Sequence, residues 1–419
     1  MPRCELMARL IFINRFFYPD HSATSQILSD LAFHLASEGH EVHVIASRQV
    51  YDDPQVAFAS SETINSVHVH RVASTQFGRS TLLGRTFDYL SFYRSVHRAL
   101  TEITEPNDLV VAKTDPPLIS IVASAVARRR RARLINWLQD VYPEIAEVLA
   151  VPIVRGPVGK ALAVLRNRCL RQAEATVVVG ELMAQKVQTL GAPTRRVHVI
   201  PNWCDDEAIT PIAQQNNPLR ERWGLRGKFV FGYSGNLGRA HEYTTVLGAA
   251  ERLRGDARIV FLMIGGGSRF EKLTSAVKQR GLDCSFRFIP YQEQAMLPYS
   301  LSVPDAHWLS LNPRLESLIV PSKFYGIAAA GKPIIVIGDR DGELATLVRR
   351  HDCGAAVAPG DADRLTEMLQ RLASDPQTIA THGSRARQML EEHFSRRKGL
   401  VRWSELINQL AHSQVGKES

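Results

Sequence analysis

Short apolar runs recur along almost the whole chain. Each is followed by a polar loop and then a stretch of helical period, and this alternation admits few folds. From Ala8, RLIFIN reads as a buried strand, FFYPDHSATS as a loop, QILSDLAFHLASEG as a helix ended by Gly39, and HEVHVIAS as a second strand. A β-α-β start of this kind requires a parallel sheet with helices on its faces. The pattern continues through VHVHRV, a helical stretch around 85–103, DLVVAKTDPP, a helix over 118–130, RLINWLQD, a long basic helical region over 155–173, and EATVVVG.

After VHVIPNWCD the chain turns polar over 204–226, with Pro211, Gln214, Gln215, Asn216, Asn217 and Pro218, and this stretch reads as an interdomain linker. The alternation then restarts with KFVFGYSG. It runs on through helix 242–254, RIVFLMIGGG, helix 269–280, SFRFIPY, helix 293–299, AHWLSL, helix 322–330, PIIVIG, helix 342–349, CGAAVAPG and helix 361–373. At 419 residues the chain exceeds the usual span of one hydrophobic core. The expected architecture is α/β: two doubly wound, Rossmann-like domains joined face to face. The N-terminal domain covers 1–203 and the C-terminal domain 227–385, and the final helices over 386–419 pack back toward the N-terminal domain.

A hydrophobic fraction of 45% and a charged fraction of 22% fit an ordinary globular protein, while a net charge of +9 invites a polyanionic partner. The five cysteines (Cys4, Cys169, Cys204, Cys284, Cys353) form no C-x-x-C pair, which supports neither a disulfide framework nor a zinc site and favours a reducing cytoplasm. The N-terminal LIFI is too short for a signal core, and LISIVASAVA falls far short of the roughly 20 residues that span a bilayer. Membrane contact, if present, is then peripheral, on the cytoplasmic face of the inner membrane. Two basic segments bear on this: RRRRAR at 128–133, and Arg155, Lys160, Arg166, Arg168 and Arg171 spaced among apolar residues. They read either as a basic amphipathic surface for an anionic membrane or lipid diphosphate, or as a solvated face. No RNA-recognition aromatic pattern or helix-turn-helix accompanies them, so nucleic acid is disfavoured.

In doubly wound sheets ligands bind beyond the carboxyl ends of strands, and polar residues gather there. FGYSGNLGRAHEY ends a strand at Ser234 and places Gly235, Asn236 and Gly238 ahead of a helix, where amides approach a phosphate and Arg239 closes on it; a tight turn with a surface arginine is the plainer reading. Gly266, in IGGGSRFEKL, is either a second such position or a packing glycine. In LESLIVPSKFYG, Pro321, Ser322 and Lys323 open a helix and offer a hydroxyl, amides and a cation to a diphosphate, with Glu316 upstream suited to hydroxyl groups. Lys323 and Glu316 also read as plain surface charges. Asp339, Asp341 and Glu343 follow the next strand and read as helix caps, with hydroxyl binding by Glu343 open. In the first half, His21 of FFYPDHSATSQ reads as a sugar or phosphate ligand or as part of a capping network. Asp140 of NWLQDVYPE is a candidate to position or deprotonate an acceptor hydroxyl.

With these loops in place, the chain resembles the family 4 glycosyltransferases of the two-domain GT-B fold, in the bacterial surface-polysaccharide branch that includes colanic acid and O-antigen transferases. RLIFINRFFYPDHSATSQ, WLQDVYPE, VIPNW, YSGNLGRAHE, FLMIGGG and PSKFYGIAAAGKPIIVIGD followed by GEL carry the resemblance. It implies two domains facing across a cleft and a retaining, metal-independent transfer from a nucleotide-diphosphate sugar, UDP- or GDP-linked, with no other cofactor. It implies a donor bound by the C-terminal domain and a polyprenyl-diphosphate-linked saccharide acceptor on the N-terminal side. Without a metal, Arg239 and Lys323 neutralise the leaving diphosphate, the leaving phosphate assists deprotonation, and Asp140 orients the acceptor. The family's second glutamate, a ribose ligand usually within P-S-K-x-Y-E, is replaced by Gly326, and the eighth residue after Glu316 is Phe324. The lysine expected after Arg239 is also missing, with His241 and Glu242 standing there, so ribose recognition is expected to pass to Glu343. Two other readings compete with the transferase: a non-catalytic sugar-nucleotide-binding or partner subunit, and a sugar-nucleotide epimerase of similar fold.

Overall fold

The computed structural model describes residues 7–20, 22–49, 58–77, 82–152 and 156–418. It divides into two compact units, Met1–Pro201 with Arg397–Ser419, and Asn202–Arg396. The first is built on an eight-stranded sheet of β1 (Arg9–Ile13), β2 (Glu41–Ser47), β3 (Ser61–Ile64), β4 (Val67–Val72), β5 (Leu109–Lys113), β6 (Arg133–Leu138), β7 (Ala175–Val178) and β8 (Val197–Val199), in the order β3-β4-β2-β1-β5-β6-β7-β8. All pairings are parallel except β3 with β4. The pattern of apolar runs did not single out β3. Its sequence SETI has a single apolar residue, Ile64, and its signal is the turn, where Asn65 (φ 46°) and Ser66 (φ 65°) are both left-handed as a tight two-residue hairpin requires.

Helices Leu82–Ile103, Ile119–Arg130 and Pro157–Gln172 bury Phe92, Val96, Leu100, Ile119, Ala123, Val126 and Cys169 against Ile11, Ile13, Val110, Ala112 and Leu134 of the sheet, so they share one face. The terminal helix Arg396–Glu418 belongs to this unit from Arg397 onward. Its buried Trp403 lies 4.6 Å from Trp137 of β6, and Arg133 donates to the Leu410 carbonyl at 2.7 Å. No helix among the described residues is long and apolar enough to cross a membrane.

The second unit holds a six-stranded, wholly parallel sheet of β9 (Phe229–Asn236), β10 (Ile259–Gly266), β11 (Phe286–Ile289), β12 (Ala306–Ser310), β13 (Ile334–Ile337) and β14 (Gly354–Val357), ordered β11-β10-β9-β12-β13-β14. The strands are almost wholly apolar because both faces are covered, which is why apolar runs located them.

Most of the polar run at 204–226 is built into this unit rather than left as a spacer. Helix Pro218–Arg222 starts on Asn217, whose side chain accepts from Leu219 N, and Leu219 and Leu225 join a core cluster with Val230, Leu262 and Ile264. Arg220 pairs with Asp305 at 2.8 Å, both almost fully buried, and Asp305 also accepts from Val230 N at 2.7 Å. The polar residues that looked like a linker are thus the capping and pairing groups of a docked segment. Removing one member of a buried pair strands the other charge, so Asp305→Ala should destabilise this unit by about 3–5 kcal/mol in denaturant unfolding. A loss below about 1 kcal/mol would show that the pair does not hold the segment.

Candidate functional site

In the second unit the chain runs from β9 outward to β10 and β11, then returns to the other side of β9 as β12. Loops at such a reversal diverge and leave an opening at the carboxyl edge. The register makes the opening concrete. β9 pairs with β10 as far as Asn236↔Gly266 but with β12 only at Phe231 and Gly232, so the two strands separate beyond Gly232.

The Lys323 side chain enters that gap. It comes from the short helix Lys323–Ala329, and its Nζ stands 3.3 Å from His241 Nε2 and 5.4 Å from the centre of the Tyr233 ring. Gly235, with φ +117°, is needed here both for its left-handed backbone and for space, because a Cβ would fall 2.7 Å from Lys323 Cε. Burial lowers the Lys323 pKa to about 8. His241 Nδ1 lies 2.6 Å from the carbonyl oxygen of Ser310, the last residue of β12, and burial together with the adjacent amine lowers His241 to about 4. Glu242 N donates to Ser310 Oγ at 2.9 Å, tying the same loop to β12.

Ser234, Gly235 and Asn236 close β9, and Gly266 closes β10 opposite Asn236. Gly238 and the exposed Arg239 lie on the loop between Asn236 and helix Thr244–Arg252. The helix expected from 242 starts at Thr244, where Glu242 Oε1 accepts from Thr245 N, so a loop separates the glycines from it. Pro321 is buried, and Ser322 is exposed with no capping bond from its hydroxyl.

The chain beyond β12 and beyond β13 brings carboxylates to the same edge. Glu316, on the loop after β12, accepts at 3.3 Å from the backbone N of Glu343, the first residue of helix Glu343–Arg350 after β13. Gly342 has no room for a side chain, since a Cβ there would fall 2.5 Å from Glu316 Oε1. Burial raises Glu316 to about 7 against the opposing Glu343 N–H, and Asp339 and Glu343 add repulsion. At the positions where the family resemblance places a glutamate, Phe324 is fully buried, packing edge-on to Tyr325 and Phe394, and a Cβ on Gly326 would meet Leu301.

In the first unit the reversal lies between β1 and β5, and Asp140 stands just past the carboxyl end of β6. It lines a cavity of about 20 Å³ with Lys113, Thr114, Ser120, Tyr142 and Arg166, room for about one water. Burial, helped by Asp115, raises Asp140 to about 7. Lys113, at the end of β5, is buried over the Trp137 ring at 4.0 Å and donates to Thr24 O at 2.8 Å, and burial lowers it to about 7. A lysine ending the otherwise apolar strand LVVAK is the sequence signal for this position. His21, Arg155 and Cys4 lie outside the described residues.

The two basic segments separate. Arg166 is an internal anchor, bonded to Glu144 Oε1 at 2.5 Å and Tyr142 O at 2.6 Å, while Lys160, Arg168 and Arg171 are exposed. The arginines at 128–130 end helix Ile119–Arg130, where cations suit the helix dipole, at the edge of the sheet away from Asp140. Large apolar side chains are exposed in the same unit: Phe87 and Leu90 on helix Leu82–Ile103, with Phe77 5.9 Å from Phe87, and Val158, Val164 and Leu165 on helix Pro157–Gln172.

Known proteins share this construction. Residues 23–203 match the glycosyl transferase 4-like domain and residues 216–389 the glycosyl transferases group 1 domain. The probable glycosyltransferase WbjE of Pseudomonas aeruginosa is 23% identical over 74% of this chain and 77% of its own. The putative colanic acid biosynthesis glycosyl transferase WcaI of Escherichia coli K12 is 23% identical over 79% and 83%. The structure of Anabaena HepE in complex with UDP-glucose superposes with a TM-score of 0.72 at 16% identity, over 96% of this chain and 99% of that one. Two Rossmann-like units, each matched by its own family model, identify the chain as a GT-B glycosyltransferase of the family that joins a 4-like domain to a group 1 domain.

Proposed function

We propose that this protein is a retaining, metal-independent hexosyltransferase. It moves a sugar from a UDP- or GDP-linked donor to a polyprenyl-diphosphate-linked saccharide in surface-polysaccharide synthesis, working peripherally on the cytoplasmic face of the inner membrane. The observation that carries the reading is the Lys323 amine, held in the gap between β9 and β12 where the fold gathers ligands. A cation fixed in a poorly hydrated gap stabilises charge developing on a leaving diphosphate more strongly than one in water. HepE, of the same fold, was solved with UDP-glucose, and WcaI is named for colanic acid biosynthesis, which is the basis for the donor and product classes.

In this scheme Lys323 and the exposed Arg239 take the diphosphate, with Ser234, Gly235, Asn236, Gly238, Gly266, Pro321 and Ser322 shaping its surroundings. Glu316 and Glu343 take sugar and ribose hydroxyls, which suits two acidic residues brought together where the Glu343 backbone N–H donates to the Glu316 carboxylate. The departing phosphate oxygen accepts the acceptor's proton on the same face as the incoming hydroxyl, so configuration is retained without a protein nucleophile. Asp140, with a pKa near neutrality, orients the acceptor hydroxyl. His21 keeps the role of sugar or phosphate ligand read from its loop. The amphiphilic acceptor and the membrane surface are read from exposed Phe77, Phe87, Leu90, Val158 and Leu165, together with the exposed Lys160 and Arg168 on the helix that carries Val158 and Leu165.

A donor that binds only the folded protein must raise its melting temperature, so a panel of UDP-, GDP-, ADP- and CMP-sugars should give a selective shift. No shift with any of them would reject the transferase reading. Lys323→Ala should lower kcat/KM on the order of a hundredfold. Glu343→Ala should weaken donor binding by about tenfold or more, as expected for a lost bond to a charged group, and an unchanged affinity would reject its ribose role. The pH dependence has a definite sign: Lys323 is cationic below about 8 and loses its proton above. Donor affinity should therefore hold on the acid side and fall as pH rises through that value, with a flat profile over this range in Lys323→Ala.

A further inference from the structure

A lysine amine on four rotatable bonds is a poor fixed charge, and ordering it costs up to about 2 kcal/mol of rotamer entropy. The surroundings of Lys323 supply what limits that cost. We propose that His241 is a positioning residue for the donor diphosphate, docking the Lys323 amine through its Nε2; the inference rests on Lys323 meeting the diphosphate.

The polarity of the contact follows from its partners. The Ser310 carbonyl can only accept, so His241 Nδ1, 2.6 Å away, carries the ring proton and donates it. Burial and the neighbouring amine keep the ring neutral at pH 7, which leaves Nε2 as an acceptor. Nε2 is the atom 3.3 Å from Lys323 Nζ, and a lysine ammonium only donates. One ammonium proton goes to His241, and two remain for phosphate oxygens.

The imidazole is itself held. Arg269 donates to the His241 carbonyl at 2.7 Å, Asn312 N donates to Ala240 O at 2.9 Å, and the ring stands edge-on to Tyr233 with centroids 6.0 Å apart. The Ser310–His241–Lys323 chain thus transmits the fixed position of β12 to a side chain that would otherwise sample many rotamers, and the ordering is complete before ligand arrives.

The test is a double-mutant cycle read by calorimetric binding of UDP and GDP to the full-length protein. His241→Asn can still donate to Ser310 but stops short of Lys323, whereas the carbonyl of His241→Gln can reach it. Unchanged ligand-free melting temperatures establish that the variants are folded. His241→Asn should weaken nucleoside diphosphate binding by about tenfold in the wild-type background and by less than about twofold in Lys323→Ala, while His241→Gln recovers most of the loss. Equal losses with and without Lys323, or a His241→Gln variant as weak as His241→Asn, would overturn the positioning role. Absence of binding by the wild-type protein, or binding indifferent to Lys323→Ala, would instead overturn the donor reading on which the role rests.

Discussion

A parallel strand covered by helices on both faces has no place for polar chemistry except beyond its carboxyl end. In the second unit that constraint meets a second one: β9 and β12 are adjacent but pair at only two positions before they part. The resulting gap is lined by backbone from two strands and closed on one side by Gly235, which leaves room for one long side chain. Lys323 fills it, and its amine is the charge around which the donor reading is organised.

The same economy governs the carboxylates. A single loop carrying two glutamates would place both on one element. Here Phe324 belongs to the core and Gly326 faces Leu301, and a second carboxylate comes from the start of the helix after the next strand, where Glu343 N donates to Glu316. Burial raises the pKa of Glu316, the nearby Asp339 and Glu343 add to the rise, and the Glu343 N–H, in the space left by Gly342, opposes it. In the first unit Lys113 and Asp140, both shifted toward neutrality by burial, mark the corresponding edge.

Much of the fold could be read from the sequence because both sheets are mainly parallel and buried, so the central strands are largely apolar runs, and helix limits fell close to their periodic stretches. What escaped was structure whose signal is not apolar. The hairpin strand Ser61–Ile64 depends on two left-handed turn residues, and helix Pro218–Arg222 depends on an asparagine cap and a buried Arg220–Asp305 pair that look like linker composition. The candidate site was legible residue by residue, since Lys323, Glu316, Asp140 and the Gly235 turn follow strands. Its connections were not. Nothing in the spacing of His241, Ser310 and Lys323 shows that they meet, because the contact is created by strands that separate in space. Arg166 is the converse case: it sits in a basic series by sequence, and the fold turns it inward to Glu144.

The most direct measurement is a crystal structure of the protein with an intact UDP- or GDP-sugar bound. The account predicts the diphosphate at the carboxyl edge of β9, beside Gly235, with phosphate oxygens in hydrogen-bond contact with Lys323 Nζ while that amine keeps His241. A nucleotide seated elsewhere in the second unit, or Lys323 still turned only toward protein atoms with the donor in place, would contradict it.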